Sequence, residues 1–225
     1  MRPSFFAASL LIALSAPAWA QAAAMQAVPP APPAAPAMQS AAPAMQPMIA
    51  LRGVIERIAP DRQSLDIKTR DGGERTLQLP RDARIDRVLA ASLADIKSGA
   101  YVGVAALPGD GDTLKALEVH IFPEAMRGTG DGTRPFDIAP GSSMTNGAID
   151  ARVDQVEGAQ ITVAYKGGQK TITLDKSTAI VAIDPGGLGD LMVGAAIVAR
   201  GQAADGGGFE ARHVAVGING VTPPM

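Results

Sequence analysis

"LADIKSGAYVGVAAL" (Leu93–Leu107) and "LGDLMVGAAIVARGQ" (Leu188–Gln202) share one pattern: Leu, any residue, Asp, an apolar residue, two more, then Gly-Ala and a β-rich run. The two stretches lie 95 positions apart, and the same offset places Gly72-Gly73 on Gly167-Gly168, Thr76 on Thr171, Leu79 on Leu174 and Ile85 on Ile180. Further on, Leu114 meets Phe209, Ala116 meets Ala211 and Val119 meets Val214. Ahead of the Gly-Gly pair the offset slips by one, so that Leu65 and Ile67 match Ile161 and Val163. Gly53-Val54-Ile55 then matches Gly147-Ala148-Ile149. A period this long exceeds a solenoid unit and predicts two copies of a small domain, over 49–122 and 145–218.

Each copy reads as all-β. "SLDIKTR" (64–70) alternates Leu65, Ile67 and Thr69 with polar residues, and "ERTLQLP" (74–80) repeats the pattern with Leu77 and Leu79. Asp71-Gly72-Gly73 joins them as a hairpin, because glycine supplies the positive φ of a tight turn. "RGVIERI" (52–58) opens the copy as its first strand. Ser92–Lys97 suits one helical turn, with Ser92 to cap it and Gly99 to end it in the left-handed conformation. Strands over 100–107 and 114–122 follow. The spacing from Ala116 to Val119, repeated at Ala211 and Val214, breaks strict alternation and predicts a β-bulge in the last strand.

Three strands, a helical turn and two strands is the order of a five-stranded OB-like barrel, so the expectation is all-β: two tandem small barrels. Leu93 and Ile96, with Leu188 and Leu191 in the second copy, would plug the barrel ends. The alternative is an open sandwich or meander. A module of this size is marginal alone, since it buries only about 60% of its unfolded surface. The copies are therefore expected to dock, with the connector (123–144) packed across the junction; 219–225 form a tail.

The leader is separate. Arg2, the apolar run Phe5–Leu14 and Ala18-Trp19-Ala20 read as a secretory signal peptide over 1–20, cleaved after Ala20, so the product is expected in the periplasm or secreted. The run is too short to cross a ~30 Å hydrocarbon core as a helix, and no membrane span is expected after cleavage. The chain has no Cys, hence no disulfide framework and no lipid-bearing Cys. Residues 21–48 are Ala, Pro, Gln and Met with no charge, a composition that cannot bury a core and reads as a disordered linker.

The residues named above (Gly53-Val54-Ile55, Gly72, Ser92–Gly99, Ala116, Val119 and their counterparts) carry a resemblance. The module resembles a family of exported bacterial domains of unknown function, built as small OB-like β-barrels. The connector "FPEAMRGTGDGTRPFDIAPGSSMTNG" (122–147) is similar to a segment in exported proteins with the same two-module layout. The resemblance implies a fold and an export route, and brings no known active site.

Chemistry is sparse. Gly128–Arg134 is Gly-rich, but it lacks the Lys-Ser/Thr of a phosphate loop and the spacing of a dinucleotide loop. Arg127 and Arg134 are expected to pair with Glu124 and Asp137. Pro108–Thr113 carries Asp110 and Asp112 without the rest of a calcium loop, and reads as a hairpin turn. Glu118 and His120 alternate on one strand face, and His213 is the counterpart of Glu118. These residues, or Met38, Met45 and Met48 in the linker, are the candidate ligands for zinc or copper, yet no metal or cofactor is expected from their spacing. No nucleophile elbow, Ser-x-x-Lys or His-Glu-x-x-His occurs, so an enzyme is not expected.

The net charge is −2 and the pI about 5.7, which leaves no electrostatic footprint for nucleic acid. After the leader the aromatics are Tyr101, Phe122, Phe136, Tyr165 and Phe209. That is too few for a stacking platform once some enter the core. Two readings remain: a non-catalytic exported interaction protein for a protein partner or a small anionic or peptidic ligand, and a periplasmic metal-handling protein.

Overall fold

The computed structural model describes residues 48–155, 158–204 and 208–224. The leader and the linker up to Pro47, with Met25, Met38 and Met45, lie outside the described residues. Among the described residues the chain is all-β, with strands β1 (Ile49–Ile58), β2 (Ser64–Thr69), β3 (Glu74–Gln78), β4 (Arg84–Ala90), β5 (Tyr101–Pro108), β6 (Leu114–Ile121) and β7 (Gly132–Pro135). The second half adds β8 (Ser143–Gln155), β9 (Gly158–Tyr165), β10 (Gly168–Asp175), β11 (Ala179–Pro185), β12 (Ala196–Ala203) and β13 (Phe209–Gly217). No helix among these residues is long and apolar enough to cross a membrane.

The strands pair in one continuous sheet, in the order β10-β9-β8-β5-β6-β11-β4-β13-β12-β1-β2-β3, with β7 on β8. Two further pairings, β3 with β13 and β6 with β10, join strands far apart on that path. As a result β1, β2, β3, β13 and β12 pair in one closed circuit, and β8, β9, β10, β6 and β5 in another. This corrects the expected pair of tandem barrels. Each circuit takes three strands from one half of the chain and two from the other.

The reason lies in β4 and β11, which alternation did not reveal. In "RIDRVLA" both faces are used: Ile85 enters the core of the first circuit, while Val88 enters a central cluster with Val181, Ile183, Val198 and Ala215. Charged Arg84, Asp86 and Arg87 hide the apolar pattern. β4 pairs antiparallel with β11, and Val88 faces Ile183, the position 95 residues on. The seam carries each half's last two strands across to the other half's first three.

Backbone contacts repeat the exchange. The Gly99 N–H donates to Ile149 O (2.8 Å) and the Gly194 N–H to Ile55 O (2.8 Å). Both glycines have positive φ (78° and 86°), as a left-handed turn ending requires. Between them and the capping positions, the Asp95 carboxylate accepts from the Ser92 N–H (2.8 Å), and the Asp190 carboxylate from the Gly187 N–H (2.8 Å).

The plug is narrower than the sequence suggests. Ile96 and Leu191 are fully buried, whereas Leu93 is half-buried and Leu188 is 40% exposed. Ile96 packs with Ile149, Ile161, Val163, Ile172 and Leu174 of the other half, and Leu191 with Ile55, Leu65, Ile67 and Leu77. Arginines from the opposite half bind the carbonyls of each turn. Arg62 donates to Leu188 O (2.8 Å) and Leu191 O (3.1 Å), and Arg152 to Leu93 O (2.7 Å) and Ile96 O (2.9 Å).

The bulges fall where alternation breaks. Ala105 pairs with Glu118 and Ala106 with Ala116, which leaves Leu117 out of the ladder; Arg200 pairs with His213 and Gly201 with Ala211, which leaves out Arg212. Gly53 and Gly147 mark a second equivalence. A Cβ on either would run into a carbonyl of the adjoining strand, Lys68 O or Ala164 O.

Because each core draws on both halves, residues 48–128 and 129–224 produced separately should show no cooperative thermal transition as monomers. Mixed, they should regain one. A half that melts cooperatively as a monomer contradicts the exchange.

Candidate functional site

The outer face of β5, β6 and β8 is a patterned lattice. Register places Asn146, Gly103 and His120 in one row across the three strands, with Met144, Ala105 and Glu118 in the next. The central strand thus offers only Gly103 and Ala105, between walls of larger side chains. A Cβ on Gly103 would meet Asn146 Oδ1 at 2.9 Å and the Phe122 ring at 3.0 Å. Glycine here lets the amide and the ring lie over the strand.

The connector roofs this face. β7 pairs with β8, the Tyr101 hydroxyl donates to Thr129 O (3.2 Å), and Asn146 Nδ2 donates to the same carbonyl (2.9 Å). Burial raises the Tyr101 hydroxyl's pKa above its usual value, and Asp131 adds to the effect. Arg127 binds Glu124 (2.7 Å), as expected, and also Gly99 O (2.8 Å). Arg134 does not take Asp137. It donates to Gly130 O (2.9 Å), and Asp137 pairs with Arg52 (3.4 Å).

Under the roof lies a cleft of about 700 Å³, lined chiefly by His120, Phe122, Arg134, Phe136, Asn146 and Arg200, with Met48, Met144 and the Asp137 carboxylate beside them. Arg200 is its most unusual member. The guanidinium stacks on the Phe136 ring, 5.6 Å from the centroid. Burial pulls its pKa below the ordinary value, opposed first by the charge of Asp137. Among the described residues it makes no side-chain hydrogen bond or ion pair. A guanidinium stays protonated in proteins, so a full charge without a hydrogen-bonded partner lines the cleft.

His120 and Asn146 belong to the other wall, and Glu118 lies against His120 outside the lining. Glu118 and His120 are each 1% exposed. His120 Nε2 lies 3.1 Å from Glu118 Oε1, but at an angle that leaves Nε2 and both Glu118 oxygens without a hydrogen-bond partner. The pair is in contact without a hydrogen bond, because direction as well as distance decides bond strength. Asn146 is 3% exposed, and its Oδ1 also has no donor.

The candidate ligands from the sequence are thus divided. Glu118 meets His120, while His213 Nε2 binds Asp86 Oδ2 at 2.8 Å. No group of three or more His, Cys, Asp or Glu side chains that could hold a metal occurs among the described residues. Met48 lines the cleft, while Met38 and Met45 lie outside the described residues. Pro108–Thr113 is the hairpin turn expected, closed by the Gly109 N–H to Thr113 O (2.9 Å) and the Thr113 N–H to Asp110 O (3.2 Å).

Sequence reasoning missed Arg200 and Asn146. A signal for them exists: Arg200 stands where the first half has Ala105, His120 where the second has Ala215, and Asn146 where the first has Arg52. A charge inside the apolar run "AAIVARGQ" is not what a core strand needs. Comparison with protein-family models, curated proteins and solved structures finds no match to this chain.

Asp86 supplies a pH test. Burial raises its carboxyl pKa, but hydrogen bonds from His213 and Arg84 outweigh burial and hold it below the usual value. A depressed folded pKa adds stability that is present above about pH 4, the unfolded value, and is lost as pH falls through the folded one. Asp86→Asn should therefore cost about 1–3 kcal/mol at neutral pH, and the gap from the parent in urea unfolding should shrink towards pH 2. A gap that is constant with pH contradicts this assignment.

Proposed function

We propose that this is an exported, non-catalytic binding protein that takes a small ligand bearing an anionic group. The leader and the uncharged Pro-rich segment support export and tethering. The repeated sequence and the two strand circuits support a pair of OB-like barrels descended from one module, with strands exchanged. The single observation that carries the binding reading is Arg200, a half-buried guanidinium stacked on Phe136 that makes no side-chain hydrogen bond or ion pair among the described residues, with Asp137, the nearest charge acting on it, already paired with Arg52. Desolvating such a charge is costly unless it is paired, and its planar fork matches a carboxylate or phosphate in two parallel bonds. Arg134 adds a second cation at the rim, while Phe122, Phe136 and Met144 supply apolar contact.

Metal handling is the less supported reading. Glu118 and His120 offer one carboxylate and one imidazole, and Arg200 sets a positive charge beside them.

In a survey of small carboxylates and phosphates by amide chemical shifts, anions should move Gly103, Asn146 and Arg200, while their neutral amide counterparts should not. Arg200→Met should weaken the effect at least tenfold, and added salt should weaken it too. Anions that bind equally well to Arg200→Met contradict the proposal.

A further inference from the structure

We infer that the anionic group is the C-terminal carboxylate of a short peptide; this rests on the anion-binding reading above. The cleft has two polarities. Arg200 and Arg134 present donors and positive charge. Asn146 presents the opposite: its Nδ2 is committed to Thr129 O at 2.9 Å, which fixes the orientation of the amide and leaves Oδ1 as a buried acceptor without a donor. Behind His120, 3.1 Å away, stands Glu118, with both carboxylate oxygens lacking a donor. The wall therefore carries the Asn146 acceptor in the cleft and, one row along the sheet and outside the lining, the unpartnered Glu118 oxygens.

A simple anion satisfies only the arginine side. It leaves Asn146 Oδ1 unmatched, a defect that costs about 1–3 kcal/mol in a buried setting. A ligand that answers both sides has a carboxylate with N–H donors a few ångströms away and apolar groups between them. The last residues of a peptide have this order: a carboxylate, a side chain, and a backbone N–H at each residue. Capture of a terminal carboxylate is a recurring mode of peptide recognition. The side chain has the Phe122, Phe136 and Met144 surfaces to lie on, and about 700 Å³ suits two or three residues better than one. Gly103 keeps the floor open. Any side chain there would push on the Asn146 Oδ1 that the peptide N–H is to meet.

The test uses the whole chain without its leader and four probes: the tripeptide Ala-Ala-Phe, its C-terminal amide, its analogue methylated on both amide nitrogens, and phenylacetate. Calorimetry gives affinities, and amide shifts at Gly103 and Asn146 locate binding. Ala-Ala-Phe should bind in the cleft, and each of the other three should bind at least tenfold more weakly. Arg134→Ala, an exposed position whose loss leaves the fold intact by circular dichroism, should weaken Ala-Ala-Phe several-fold. If phenylacetate binds as tightly as the tripeptide and methylation changes nothing, the peptide inference is overturned while the anion reading stands. If no probe moves the cleft amides, both are overturned.

Discussion

The antiparallel contact between β4 and β11 is the constraint on which the rest depends. Val88 lies opposite Ile183, its own counterpart, and on either side Ala90 pairs with Val181 as Asp86 does with Pro185, so the pairings repeat about that centre in an approximate two-fold relation. Isologous pairing of this kind is how two copies of a surface satisfy each other. Here it occurs inside one chain. Once β4 and β11 are paired, β13 lies beside β4 and β6 beside β11, both parallel, and each half's last strands are delivered to the opposite circuit. Apolar burial then locks the exchange. Ile96 and Leu191 sit in cores whose other members come from both halves.

Much of this was legible. Period-two alternation located β2 and β3, the Gly-Gly pair located the hairpins, and the Ala116–Val119 spacing located the bulges. Gly99 and Gly194 ended the short turns in the conformation that glycine permits. What the sequence could not show was partner choice. Alternation states that Ile55 and Val104 each bury a side chain, but not whether β1 lies beside β5 or β12, because the two are near-equivalent as partners. β4 was illegible for a different reason: a strand between two cores shows no single polar face, and Asp86 takes a buried place that charge normally forbids, held by His213 and Arg84.

The candidate site was legible only in fragments. Glu118 and His120 stood out by residue type, and the structure does bring them together. Their setting changes once Arg200 is placed, because a guanidinium from the other half's strand lines the same cleft as His120. Approximate symmetry would fill both sides of the junction alike. Arg200 against Ala105, His120 against Ala215 and Asn146 against Arg52 break it in one place, and that place is the roofed cleft. The exchange and the site meet here: Arg200 of β12 and His120 of β6, from opposite circuits, line one cleft.

The absence of cysteine allows the exchange to be tested directly. Cysteines placed at Leu51 and Ala199, which face each other across β1 and β12, should form a disulfide when the chain refolds in oxidising buffer. Cysteines at Leu51 and Val104, the pair that self-contained modules would bring together, should not. Efficient crosslinking of the second pair, with the first remaining as free thiols, would contradict the exchanged sheet.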